Sequence, residues 1–388
     1  MAWAGVAVAA TDHTRANLPA GAIIAAALAL PGVMAHAETA PEEGTLSLKY
    51  MHYQDEQPGL KRIRVSAPSV YVQAPLSPRW LIEGSLVSDA VSGASPRYHT
   101  AISGASKMND ERHAGDVKLT RYEGHNSYGM GLAVSDEHDY LGRSVSFDAA
   151  FGSEDNNRTW NVGLGFASDK ISSRDNLLLH ESRHTTEAAV GVTQALSAVD
   201  LLQFNLSFNR GTGYFSDPYK SLDVRPGERN QSILLTRWNH HFVSLGSTLR
   251  SSYRYYSDTF GIRAHTLAAE WVQPLGTRWT LTPELRLYTQ SAASFYFDPV
   301  YDPNVGAPYP VGYFTSPPTY SSADQRLSSF GAVTVALKLA WQASRKWSCD
   351  IKLEEYKQRS SWRVGGTGSP GLDPFSATTV QVGASTHF

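Results

Sequence analysis

From about residue 45 onward the chain alternates apolar with polar or small residues at a period of two. Leu202, Phe204, Leu206 and Phe208 are interleaved with Gln203, Asn205, Ser207 and Asn209. Trp160, Val162, Leu164 and Phe166 are interleaved with Asn161, Gly163, Gly165 and Ala167. Tyr128, Met130, Leu132 and Val134 keep the same rhythm, as do Val145, Phe147, Ala149 and Phe151. Successive side chains of a strand point to opposite faces, so each segment carries one greasy face and one wet face. No helical periodicity is sustained after the first forty residues or so.

About sixteen such runs can be marked, with roughly 14–18 as the range, and most approach the length that crosses a bilayer at a barrel's tilt. They lie near 45–53, 61–74, 79–88, 112–123, 126–136, 143–152, 158–168 and 184–195. The second half adds 200–209, 230–241, 243–256, 262–274, 278–291, 327–342, 346–360 and 377–388. The links after even-numbered runs are short. Those at 89–111, 169–183, 210–229, 292–326 and 361–376, all after odd-numbered runs, are long. Short turns at one rim and long loops at the other is the pattern of bacterial outer-membrane barrels.

One short turn recurs: Ala74-Pro75-Leu76-Ser77-Pro78-Arg79-Trp80, Gln273-Pro274-Leu275-Gly276-Thr277-Arg278-Trp279 and Gln342-Ala343-Ser344-Arg345-Lys346-Trp347. Each ends on a base and a tryptophan that opens the next run, which places the tryptophan in an interfacial girdle. The last run, Val380, Val382, Ala384, Thr386 and Phe388, alternates to a terminal aromatic. A terminal Phe on an alternating strand resembles the signal read by barrel-assembly machinery, although Thr386 stands where that signal usually carries a larger apolar residue.

Composition agrees. Charged residues are 18% of the chain, below the roughly 25% of average soluble proteins. The formal net charge of -2 gives no basic field for nucleic acid. Cys349 is the sole cysteine, so no disulfide can form within the chain, and it reads as a small buried or lipid-facing residue. Ala20 to Met34 is apolar and runs into Ala35-His36-Ala37, a signal-peptidase pattern too short to serve as a membrane helix. The expectation is a signal peptide over 1–37, followed by an all-β domain over 38–388. That domain is a transmembrane antiparallel up-and-down barrel of about 16 strands in the outer membrane of a Gram-negative-type bacterium.

On the wet face, parity groups Asp116, Lys118, Glu187, Arg250, Arg254, Glu270, Glu284, Arg286, Lys338, Asp350, Lys352 and Glu354. Six acids and six bases favour a ladder of ion pairs bracing the lumen over a charge-selective path, which usually shows one sign in excess. His99, Asp110, Glu111 and His113 fall on one expected long loop, and His138 on another at the same rim, the elements of a candidate loop site. Their spacing matches no defined metal site. Asp298, Tyr301, Asp302 and Asn304 lack the glycine and distal glutamate of an EF-hand. No G-x-S-x-G, H-E-x-x-H or P-loop occurs, so no cofactor and no enzyme are expected.

Further stretches carry a family resemblance. They are Asp89-Ala-Val-Ser-Gly-Ala-Ser-Pro96, Asp110-Glu-Arg-His-Ala-Gly-Asp116, Glu137-His-Asp-Tyr140, Tyr253-Arg-Tyr-Tyr256, Ala264-His-Thr266 and Gln290-Ser-Ala-Ala-Ser-Phe-Tyr296. They resemble a family of exported Gram-negative proteins catalogued only as a domain of unknown function. The resemblance covers the whole domain and brings no assigned activity. The sequence thus points to a channel or binding barrel for a small solute, with membrane lipid and the assembly machinery, through Phe388, as partners. A sealed adhesin-like barrel or scaffold stays open as the alternative, as does, further off, an outer-membrane hydrolase. Residues 292–326, with Tyr301, Tyr309, Tyr313, Phe314 and Tyr320, are the expected plug or lid.

Overall fold

The computed structural model describes residues 39–93, 108–220, 222–299, 309 and 312–388. The expected leader, 1–37, lies outside these residues, as do His99 and Tyr301. Sixteen strands follow in order. The first four are β1 (Thr45–Gln57), β2 (Leu60–Ser77), β3 (Trp80–Gly93) and β4 (Met108–Glu123). Then come β5 (Asn126–Glu137), β6 (Tyr140–Gly152), β7 (Arg158–Ser172) and β8 (His180–Ala195). β9 (Asp200–Gly213), β10 (Glu228–Phe242), β11 (Ser247–Asp258) and β12 (Arg263–Leu275) continue the ring. β13 (Trp279–Gln290), β14 (Phe330–Gln342), β15 (Trp347–Arg359) and β16 (Phe375–His387) complete it. Every strand pairs with its sequence neighbours, and β1 pairs with β16, which closes the barrel.

The closing seam is antiparallel and unbroken from Thr45↔His387 to Glu56↔Ser376. Beyond it the chain ends still pair: Gly44 N–H donates to Phe388 O at 2.8 Å, and Phe388 N–H returns a bond at 3.1 Å. A Cβ at position 44 would sit 2.5 Å from the tip of the exposed Phe388 ring, so a larger residue there would displace that ring. A closed ladder leaves no unpaired sheet edge, and a bilayer demands this because lipid offers no hydrogen bonds.

Alternation sorts the two faces as expected. Leu48, Val72, Leu132, Leu164, Phe208, Leu285 and Leu353 point outward and are 38–52% exposed, a stripe that only lipid can cover. Trp80, Trp160, Trp238, Trp279, Trp341 and Trp347 line the outer surface of the rim that holds the termini, here the near rim. Trp279 and Trp341 stack there with centroids 5.7 Å apart. All near-rim connections are short, from 78–79 to 343–346, and the long links, after β3, β9, β13 and β15, leave from the far rim. Gly246, at φ 59, closes the near-rim turn 243–246, so β11 starts at Ser247 and not at 243 as the alternation suggests.

The strands run further toward the far rim than their hydrophobic bands. β4 begins at Met108, so Asp110, Glu111 and His113 belong to a strand and not to a loop. Backbone pairing there continues above the lipid, where no greasy residue marks it. The far-side loops then fold over the mouth. Residues 214–227 and 291–329 join through the backbone pair Val224↔Ser321, with bonds of 2.8 and 2.9 Å. Phe215, Phe260 and Phe295 pack in a row, with centroids 5.8 and 5.0 Å apart. Ser329 Oγ donates to Thr367 O at 2.8 Å, which draws in 360–374. Tyr219 Oη donates to Asp139, tying the lid to the turn between β5 and β6. The described part of the expected lid segment, 292–326, is held by other residues than its aromatics. Phe314 and Tyr320 are exposed, whereas Ser321, Ser322, Asp324, Ser328 and Ser329 are the buried part.

Candidate functional site

The lumen at mid-height is lined by charged side chains of partial accessibility. Lys118 Nζ on β4 meets Asp148 on β6 at 2.8 Å. Lys352 on β15 bridges Glu284 on β13 at 2.8 Å and Glu354 at 3.2 Å. Lys338 meets Asp350, and Arg250 meets Glu270, both at 3.7 Å. Cross-strand register explains these contacts, since Lys338↔Lys352 and Arg250↔Glu270 are direct neighbours on the inner face. Seven of the twelve ladder residues thus pair among themselves, and Lys118 pairs with Asp148, which parity alone could have added. Of the other four, Asp116 accepts from Ser85 Oγ, and Arg254 lies over the Tyr256 ring at 5.3 Å. Glu187 and Arg286 have no hydrogen-bond or ion-pair partner among the described residues. Glu83 also belongs to the lumen and was overlooked by the alternation; it accepts from Tyr71 Oη at 2.7 Å.

Above this belt the lid is pinned by six charges. Asp324 Oδ2 meets Arg225 at 2.7 Å and Lys220 at 3.5 Å, and also binds Arg326. Asp223 holds Arg225 at 2.9 Å, while Asp217 holds Lys220 at 3.2 Å and Arg326 at 3.4 Å. Three acids balance three bases, and Asp324 at their centre is fully buried. Burial pushes its carboxyl up, but Arg326, Lys220 and Arg225 outweigh that and hold it well below the usual carboxylate range. Nothing in the loop sequence signals this cluster, because its members come from segments about 100 residues apart.

The candidate loop site does not assemble. Glu111 and His113 stand on the outer face of β4, 66% and 67% exposed, with His113 Nε2 3.6 Å from Glu111. His138 is exposed in the two-residue turn after β5, Asp110 lies on β4 by its backbone, and His99 is outside the described residues. Alternation separates Glu111 and His113 from the inward Arg112, which pairs with Asp89. No cluster of three or more His, Cys, Asp or Glu able to hold a metal occurs among the described residues. Asp298 is used structurally, accepting from Tyr296 Oη and Gly371 N–H at 3.2 Å each.

The model of a family described as protein of unknown function, DUF3570, matches residues 20–107, 103–179 and 172–379. The chain belongs to the DUF3570 family. The match runs from β1 into β16, so in this DUF3570 protein it spans the barrel and its far-rim links and not one motif. No curated protein matches it in sequence. A bacterial polysaccharide outer membrane secretin is 9% identical, with 88% of this chain and 98% of that chain covered and a TM-score of 0.49. The siderophore receptor PirA from Pseudomonas aeruginosa is 10% identical over 90% of this chain and 81% of its own, at 0.45. A Pseudomonas aeruginosa FadL homologue is 10% identical over 89% and 90%, at 0.42. The barrel itself rests on the register and closure of this DUF3570 chain.

Proposed function

We propose that this protein is a wet outer-membrane barrel that binds or passes a small solute, its far mouth narrowed by the lid. The observation that carries this reading is the accessibility of the lumenal charges. Lys118, Asp148, Glu284, Lys352 and Glu354 keep 17–25% of their side-chain surface open on the face away from lipid. Charges packed in a dry interior would incur several kcal/mol of desolvation each, which water in the lumen relieves. The short near-rim turns then face the periplasm and the lid faces outside. The lipid-facing stripe supports the bilayer as partner, and exposed Phe388 supports recognition by assembly machinery through the last strand.

The lid favours the second reading, a sealed barrel that serves as scaffold or adhesin. Purified, heat-modifiable protein in planar bilayers separates the two. Stepwise current in potassium chloride, with uptake of small solutes into vesicles, is the expected result. Neither current nor uptake would remove passage and leave a barrel that does not conduct.

A further inference from the structure

The even count of lumenal charges hides an uneven placement. Sixteen strands close in sequence order, so β3 and β4 stand across the lumen from β11 and β12. Glu83 and Asp116 face inward from β3 and β4 and repel one another. Tyr71 Oη and Gln73 Nε2 donate to Glu83 at 2.7 and 3.3 Å, and Ser85 Oγ donates to Asp116, while Lys118, the cross-strand neighbour of Glu83, is held by Asp148 at 2.8 Å. Across the lumen, Arg254 on β11 and Arg286 on β13 flank β12. Register places Arg254 beside Thr266, Thr266 beside Tyr288, and Ala268 beside Arg286. The short side chains of Thr266 and Ala268 therefore floor a trough. Arg254 and Tyr256 form one side, Arg286 and Tyr288 the other.

Neither arginine has a carboxylate at ion-pair distance among the described residues. The acids nearby are committed elsewhere: Glu270 to Arg250 at 3.7 Å, Glu284 to Lys352 at 2.8 Å and Asp258 to Arg229 at 2.6 Å. The two guanidiniums repel each other. Where the rest of the wall sets like charges side by side, at Lys338↔Lys352 and Glu270↔Glu284, opposite charges offset them: Asp350 meets Lys338, Glu284 and Glu354 meet Lys352, and Arg250 meets Glu270. Like charges side by side, with an open floor between them, weaken the empty wall and suit a bound anion.

We infer that this trough is an oxyanion subsite, taking the carboxylate or phosphate of the solute in the guanidinium forks of Arg254 and Arg286. The rings of Tyr256 and Tyr288 border it, while their hydroxyls donate away from it to Asp258 and Gln290 at 2.7 and 2.5 Å. The inference rests on the solute-barrel reading, but its test does not need the barrel to conduct. Full-length, heat-modifiable protein in detergent is titrated calorimetrically with acetate and with inorganic phosphate. Wild type binds at least one of them. Arg254→Gln with Arg286→Gln weakens that binding at least about tenfold, the scale of one charge-assisted hydrogen bond. Lys338→Gln, a lumenal base outside the trough, changes it by less than about twofold.

Binding of acetate alone assigns a carboxylate solute, phosphate alone a phosphorylated one, and both together a site that reads the oxyanion charge. Failure of wild type to bind either, or equal weakening by Lys338→Gln, overturns the subsite and leaves the channel reading to conductance. Binding that depends on the arginines in a barrel without current upholds the subsite and removes the channel.

Discussion

Replacing Asp324 with asparagine will loosen the lid while the barrel stays folded. Its carboxylate is the shared partner of Arg225, Arg326 and Lys220. Removing one member of a buried charge cluster costs about 3–5 kcal/mol, because the remaining charges are left uncompensated. Here two acids would face three bases in a site closed to water. Two of those bases, Lys220 and Arg326, are also trypsin sites, which gives the readout; Arg225 is not, because Pro226 follows it. Cleavage after Lys220 and Arg326 should accelerate by more than about a hundredfold, on the conversion of tenfold for each 1.4 kcal/mol. The β1–β16 seam is remote from the cluster, so heat-modifiable mobility should persist. Unchanged trypsin resistance would show that the cluster does not hold the lid.

The same residue sets the pH response. A carboxyl depressed in the folded state stabilises the lid above its unfolded value of about 4, and that stability is lost as pH falls through the lowered value. Conductance through the wild type should therefore stay level from about pH 7 to 5 and rise only below about pH 4. A rise near neutrality would assign gating to another group.

The second large effect separates the two faces of one strand. Leu353 stands on the outer face of β15, 51% exposed, midway along the strand. Leu353→Arg puts a charge near the bilayer centre and should destabilise the barrel by about 2–4 kcal/mol in vesicles. Glu354, one residue later, points into the lumen, and its partner Lys352 retains Glu284 at 2.8 Å. Glu354→Gln should cost about 0–1 kcal/mol, the scale of a partly solvated pair. Urea unfolding followed by tryptophan fluorescence reads both. Equal costs would mean that the two positions share one environment.

The strands were legible because each membrane-crossing segment repeats one rule, greasy out and wet in, over nearly its whole length. Leu202 to Asn209 suffices to assign β9 without any neighbour. The rule fails where lipid ends. Asp110, Glu111 and His113 carry no apolar mark, so β4 looks shorter in sequence than it is. Loop contacts are harder still, since Asp324 finds Arg225 through folding and not through spacing. The ladder shows an intermediate case. Parity names Lys118 and Lys352 correctly, yet only register reveals that Arg254 and Arg286 stand together, and only strand order that they lie on the opposite side of the barrel from β3 and β4, which carry Glu83 and Asp116. A sum of charges is blind to that arrangement.

The central claim, a closed barrel with lipid outside and water inside, is tested most directly by cysteine scanning along β15. Cys349 is first replaced by serine, and single cysteines are then placed at 350, 351, 352, 353 and 354 in protein reconstituted into vesicles. A water-soluble, membrane-impermeant maleimide should label 350, 352 and 354 and spare 351 and 353, while a lipid-soluble maleimide should reach the outward pair. Labelling without alternation, or protection of 350, 352 and 354 from the water-soluble reagent, would contradict the wet barrel.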